Sequence, residues 1–119
     1  MEPSRKFTDL IVWQKAHQFV LAAYKLTAQF PKEEVYGLTS QFRRASISVA
    51  ANIAEGFGKT GKRDKVRYFN ISQGSIQECR YYLILARDLG YASEDKLDEL
   101  LEEVSKLTNN YARAIIKSL

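Results

Sequence analysis

The chain is poor in the residues that build metal-held or disulfide-held folds. Its 119 residues include one cysteine, Cys79, and one histidine, His17. A single cysteine closes no intrachain disulfide and builds no cysteine zinc site. With one histidine and no Glu-x-x-His, the ligand set of a carboxylate di-iron bundle is missing. His17 alone is a weak basis for haem, and a partly buried packing histidine is the better reading. The serines have only His17 to act as base, so acyl-transfer catalysis is poorly supported. Cys79 lies on an apolar helical pattern with no histidine near it in sequence, which points to a buried, inert thiol. Two prolines and six glycines exclude collagen-like or linker-like material. No run of 18 apolar residues exists, so no membrane span is expected. The opening Met1-Glu2-Pro3-Ser4-Arg5-Lys6 leads into no signal-peptide stretch. A cytoplasmic protein with a single domain over residues 1–119 is expected, without cofactor or metal.

What the chain does have is helical periodicity. Hydrophobic residues at 45% against 27% charged give the balance of a folded domain rather than a disordered one. Apolar residues recur at steps of three and four, and no segment alternates like a strand. The pattern predicts an all-α fold with helices at about 10–30, 38–56, 64–89 and 94–118. Thr8 or Asp9 is the expected cap of the first helix, and Pro31 its stop. Thr39 or Ser40 caps the second, Gly90 closes the third, and Ser93 caps the fourth. Gly74, in the middle of the third helix, suggests close packing there, since glycine costs about 1 kcal/mol against alanine. Short connections make neighbouring helices antiparallel, an up-down-up-down four-helix bundle. Helix 3 and helix 1 are apolar on more than one stripe. That surplus points to a subunit interface and hence a homo-oligomer.

The charge is uneven. The net charge is +4, yet residues 43–67 hold seven cations (Arg43, Arg44, Lys59, Lys62, Arg63, Lys65, Arg67) against Glu55 and Asp64. That segment carries more than the whole excess and is the candidate surface for RNA or DNA phosphates. Arg43 and Arg44 point about 100° apart on a helix, so they do not share a partner equally. One is expected to pair with Glu55 or another subunit, the other to face solvent. Arg63 and Arg67, four apart, share a face at a helix start, where positive charge opposes the helix dipole. Tyr68 and Phe57 flank the cations, where they either stack on bases or, more commonly, pack in the core. Gly56-Phe57-Gly58-Lys59-Thr60-Gly61 has dinucleotide-fingerprint spacing but follows a helix, not a strand. Read with Lys62 it is also P-loop-like, but Arg63 stands where magnesium chemistry needs Ser or Thr. What survives is a flexible, cationic loop beside a helix N-terminus, suited to a phosphate group.

Several stretches together are distinctive: Leu10-Ile11-Val12-Trp13-Gln14-Lys15-Ala16, Phe30-Pro31, Tyr36-Gly37-Leu38-Thr39-Ser40-Gln41, Arg43-Arg44-Ala45, Asn52-Ile53-Ala54-Glu55-Gly56, Gly74-Ser75, Glu78 and Leu89-Gly90-Tyr91. In this order, over nearly the whole chain, they resemble the four-helix-bundle family encoded in intervening sequences of bacterial 23S ribosomal RNA genes. The resemblance implies a small cytosolic bacterial protein that forms a ring-shaped homo-oligomer, a pentamer. A related branch, the accessory proteins of diversity-generating retroelements, works with a reverse transcriptase and binds nucleic acid through a basic surface. The family offers no catalytic residues to carry over. Trp13, Gln41, Arg43, Ser48, Asn52, Glu55 and Gly56 fall on the matching motifs, where packing or subunit hydrogen bonding is implied. Asn52 would hold backbone groups at the end of helix 2, and Gly56 would permit a left-handed exit. Two functions are therefore expected: a non-enzymatic oligomer binding RNA or DNA electrostatically, or a scaffold docking a partner enzyme.

Overall fold

The apolar stripes fold into four helices: α1 (Ile11–Thr27), α2 (Leu38–Gly58), α3 (Lys62–Asp88) and α4 (Asp95–Lys117). Short 3-10 turns at Phe7–Asp9 and Lys32–Glu34 precede α1 and α2. The computed structural model describes residues 3–119; Met1 and Glu2, inside the expected domain span, lie outside the described residues. Among the described residues there is no strand, and no helix is long and apolar enough to cross a membrane. Each helix packs against its sequence neighbours, and α4 returns to α1. Cross-helix contacts show antiparallel order: Arg43 meets Thr27, Ser75 meets Ser48, and Arg80 meets Glu102. The body measures 46 × 24 × 19 Å.

The core is built from the predicted stripes. Phe19, Phe42, Ile53, Phe69, Ile76, Leu97, Leu101 and Val104 are buried. A large apolar side chain contributes about 1.5–3 kcal/mol when fully buried. Cys79 sits among them, and burial, helped by the nearby Glu78 carboxylate, pushes its thiol up to about 12. It is an unreactive core residue at neutral pH.

The α2–α3 seam is polar as well as tight. The Ser72 hydroxyl donates to the Val49 carbonyl at 2.8 Å. Ser48 and Ser75 hydroxyls lie 2.7 Å apart. Asn52 donates to the Ser48 carbonyl and hydroxyl at 2.8 and 3.0 Å. Asn52 thus reaches back one turn instead of holding the end of α2. Gly56 makes no left-handed exit either. Gly90 (φ +76°) is the one glycine with positive φ among the described residues, and α2 runs on to Gly58. A Cβ on Gly56 would stand 3.1 Å from Phe69 and Tyr68 and 3.2 Å from the Lys65 carbonyl. Close approach, not backbone handedness, is its role. Gly74 shows the reverse: it is exposed, with open space where a Cβ would go, so nothing within the chain packs closely on it.

Helix ends depart from the expected caps. Asp9 does not cap α1; its carboxylate accepts from Arg5 and Lys6 backbone N–H groups at 3.1 and 3.2 Å, closing the preceding turn. α1 stops at Thr27, whose hydroxyl bonds back to the Ala23 carbonyl at 2.8 Å, and tighter bonds at Gln29 and Phe30 follow. Thr39 and Ser40 lie inside α2 and leave the capping to Glu34, whose carboxylate accepts from the Leu38 N–H at 3.1 Å. Ser93 is displaced by Glu94, which precedes α4 without a side-chain cap bond. Gly90 does close α3 as expected. The Tyr91 N–H reaches the Ala86 carbonyl and the Gly90 N–H reaches Arg87, the double bond of a Schellman ending. His17 is exposed rather than partly buried, and its ring stacks on Trp13 at 5.0 Å.

Glu34 joins the two loops at one end of the bundle. Its second oxygen accepts from the Tyr91 hydroxyl at 2.8 Å, and Tyr91 packs on Phe30 at 5.5 Å. The Leu38 N–H, then the Tyr91 hydroxyl, hold its carboxyl below the ordinary glutamate value of 4.5. Ionised Glu34 therefore adds stability that is complete above that value and is lost as pH falls through the lower folded-state value. Thermal melts should show Glu34→Gln less stable than the parent at pH 7, with the difference shrinking in the acid range below pH 4.5; a pH-independent difference would refute the clamp. Gly56→Ala should lower stability by about 1–3 kcal/mol through overpacking, read from the urea midpoint.

Candidate nucleic-acid interface

At the short turn between α2 and α3 the carbonyl end of one helix meets the N–H end of the next. The α2 carbonyls carry partial negative charge, and Lys65 satisfies them. Its ammonium donates to Phe57 O at 2.7 Å and to Gly56 O at 3.4 Å, and stands 5.4 Å from the Phe57 ring centre. Lys59 lies 3.8 Å from the Glu55 carboxylate and 5.0 Å over the Tyr68 ring. The Arg67 guanidinium is 5.7 Å from the same ring. Lys62 donates to the Ser118 carbonyl at 2.9 Å, tying the start of α3 to the end of α4. Arg63 is exposed, with no side-chain hydrogen bond or ion pair among the described residues. Tyr68 and Phe57 are half-buried with cations on their rings, so they are packing groups, not stacking platforms.

The structure therefore brings together Lys59, Lys62, Arg63, Lys65 and Arg67. It does not bring Arg43 and Arg44 to them. Those two lie near the opposite end of α2, about 22 Å away at 1.5 Å per residue. Arg43 is half-buried and structural. Its Nε donates to the Thr27 hydroxyl at 2.8 Å and its Nη2 to the Tyr24 carbonyl at 3.4 Å. Its guanidinium also covers the Tyr24 ring at 4.5 Å. Arg44 is exposed and lines a recess of about 290 Å³ with Gln41, Ala45, Ser48 and Glu78. Neither arginine pairs with Glu55, which is held by Lys59.

Topology adds cations that a linear reading cannot group. The N-terminal segment lies against the last turns of α4, where Pro3, Ser4 and Arg5 share a groove with Leu107 and Tyr111. Arg5, Lys6, Arg113 and Lys117 therefore join the five turn cations at one end of the bundle. Among the described residues nine cations there face three side-chain carboxylates, Asp9, Glu55 and Asp64. At the other end Lys25, Lys32, Arg43, Arg44, Arg87 and Lys96 are outnumbered by Glu33, Glu34, Asp88, Glu94, Asp95, Asp98 and Glu99. Along the α4 seams cations are paired: Lys15 with Glu103, Arg80 with Glu102 and Arg87 with Asp98, at 3.4, 2.8 and 2.8 Å. Among the described residues no group of three or more His, Cys, Asp or Glu side chains is placed to hold a metal ion.

Residues 8–112 match the 23S rRNA-intervening sequence protein family. The chain belongs to that family. A crystal structure of a protein with unknown function from the S23 ribosomal protein family of Bacteroides thetaiotaomicron VPI-5482 is similar in fold, with a TM-score of 0.76. The two are 21% identical over 87% of this chain and 96% of that one. The comparison with curated proteins finds no match. The motif residues serve the fold: Trp13 packs between Phe7 and His17, Ser48 bonds α2 to Ser75 of α3, Asn52 bonds back to Ser48 within α2, and Gly56 admits α3. Gln41 is exposed at the α2–α3 recess.

The two arginines should separate in mutagenesis. Arg43→Ala loses a charged hydrogen bond and ring cover, and should cost about 1.5–3 kcal/mol. Arg44→Ala should stay within about 0.5 kcal/mol of the parent. Chemical denaturation of both variants checks the contrast.

Proposed function

We propose that this protein is a non-enzymatic, oligomeric, cytoplasmic nucleic-acid-binding protein that holds RNA or DNA phosphates electrostatically at its basic end. The observation that supports this reading is the cluster of Lys59, Lys62, Arg63, Lys65 and Arg67 at the α2–α3 turn, where cations outnumber carboxylates. Contacts of this kind position a phosphate backbone without reading sequence. The assembly is proposed to be a ring of identical subunits, a pentamer as the family likeness implies. Two apolar strips support it. One contains the exposed Tyr24 of α1 and Ile47 of α2; the other, on α3, contains the exposed Ile71, Tyr81 and Leu89. Two different strips on one subunit suit head-to-tail contacts, which close into rings.

A second reading, a scaffold docking a partner enzyme, has its own support at the opposite end. Tyr36 is 94% exposed there beside exposed Val35, a bare aromatic next to a recess lined by Phe30, Pro31 and Thr39.

Binding of labelled RNA and DNA across a salt series, with light scattering on the same sample, tests the first reading. Parent protein should elute as an oligomer, and its log affinity should fall linearly with log salt. Lys62→Ala/Arg63→Ala should weaken binding and reduce the slope by about 0.9 for each phosphate no longer held. Absence of nucleic-acid binding at physiological salt would refute it, and a protein complex surviving nuclease would then favour the scaffold.

A further inference from the structure

The recess beside Tyr36, at the acidic end, differs in charge from the surface around it. It holds about 380 Å³, room for roughly a dozen water-sized groups at ~30 Å³ each. Arg43 and Lys32 line it, and no carboxylate does. We infer that this recess binds the C-terminal carboxylate of a partner polypeptide whose last residue carries a branched aliphatic side chain. The inference rests on the scaffold reading above, to which it gives a site and a chemistry, and is independent of nucleic-acid binding at the other end.

Unused hydrogen-bonding capacity points to the carboxylate. Thr39 is 7% exposed, yet its hydroxyl makes no hydrogen bond among the described residues. No side-chain nitrogen or oxygen sealed from solvent lacks a partner among those residues, so the unbonded hydroxyl opens on the recess that Thr39 lines. A polar group at that depth calls for a partner, and a ligand oxygen supplies one. Arg43, half-buried, has only neutral partners. Its Nε and Nη2 donate to the Thr27 hydroxyl and the Tyr24 carbonyl of α1, and the Tyr24 ring centre lies 4.5 Å from the guanidinium. These contacts fix the fork along its Nε–Nη2 edge. The Nη1–Nη2 edge keeps its donors, and it is an edge that takes both oxygens of a carboxylate. Thr39 also stands in the first turn of α2, where the helix dipole favours an anion. Lys32, exposed, adds a second positive charge.

The apolar lining points to the rest of the ligand. Phe30, Pro31 and Val35 form walls beside these polar groups. In a polypeptide only the C-terminal residue carries a main-chain carboxylate and a side chain on the same carbon, so one residue meets both kinds of lining. Beyond the recess Tyr36 is 94% exposed next to exposed Val35, an apolar lip for the residues that precede the last one. A free small acid would leave that lip bare. The wider end carries more carboxylates than cations, which disfavours an acidic partner. A tail that is neutral or basic apart from its terminus suits it.

The test uses the full chain and calorimetry with acetyl-Gly-Gly-Leu, the same peptide ending in an amide, acetyl-leucine and inorganic phosphate. The free-acid peptide should bind at least about tenfold more tightly than the amide. Thr39→Val, which keeps the branched shape and removes the hydroxyl, should weaken the free acid about tenfold while its thermal melt matches the parent. Lys32→Gln should weaken it by up to about fivefold. Arg44→Gln and Lys62→Ala/Arg63→Ala should leave it unchanged. If Thr39→Val melts below the parent, the exposed Lys32→Gln reads the site instead. An amide that binds as tightly as the acid, or a folded Thr39→Val with parental affinity, would overturn the inference. So would acetyl-leucine or phosphate binding as tightly as the peptide, since the recess then takes a free anion. A nuclease-resistant protein complex that persists in Thr39→Val/Lys32→Gln, with no peptide bound by the parent, overturns the inference and leaves the scaffold reading standing. Neither peptide binding nor such a complex overturns both.

Discussion

The close approach of α2 to α3 is the constraint on which the rest of the structure depends. It begins at Gly56, where the Cα stands in for a side chain against Phe69, Tyr68 and the Lys65 carbonyl. It continues through Ser72 bonded to the Val49 carbonyl and Ser48 opposite Ser75. Hydroxyls buried between helices are costly if left unpaired, by about 1–3 kcal/mol each; among the described residues no buried side-chain nitrogen or oxygen lacks a partner. The seam therefore fixes axial register as well as distance. Because register is fixed, the α2–α3 turn is short, and because the turn is short, its lysines lie on the carbonyls that α2 leaves open.

That geometry changes the meaning of positive charge at the start of α3. On an isolated helix Arg63 and Arg67 oppose the dipole, at about 0.3–1 kcal/mol each. In the bundle the carbonyl end of α2 occupies the same turn, and Lys65 bonds two of its carbonyls. The end of α4 is there too, with its Ser118 carbonyl accepting from Lys62. Two helix C-termini thus offset the unfavourable N-terminus, and the fold holds a dense set of cations there with less internal conflict than the sequence of α3 alone suggests. The cations on the α4 seams are different in kind, each held by a carboxylate on the neighbouring helix.

The helices and the core were legible in the sequence because a period of three and four is a local property. Phe42, Ile53, Phe69, Ile76 and Val104 lie where their stripes place them. Caps were less legible, because the residue that satisfies an open N–H need not precede it directly. Glu34 caps Leu38 across Gly37, and its link to Tyr91 spans two loops far apart in sequence. Gly56 and Gly74 look alike in sequence, yet one admits a neighbouring helix and the other faces open space. Of the candidate site, the turn cations were legible as a run. Arg43 and Arg44 were grouped with them by sequence proximity alone, and the length of α2 separates them. Arg5, Lys6, Arg113 and Lys117 could not be grouped at all without knowing that both chain ends reach the same end of the bundle.

Three of the five turn cations are already engaged, and that bears on how the proposed binding would work. Lys59, Lys62 and Lys65 each have an oxygen partner in the free protein, so contact with a phosphate exchanges one partner for another and gains little per residue. Exposed pairs of this sort contribute about 0–1 kcal/mol. Useful affinity must then come from number. In the proposed ring every subunit presents the same end, and once one end is bound the others act at the high effective concentration set by the rigid assembly. Weak, replaceable contacts multiplied by symmetry hold a phosphate backbone firmly while leaving its sequence unread. Oligomerisation through the apolar flanks and charge at one end are, on this account, two halves of a single device.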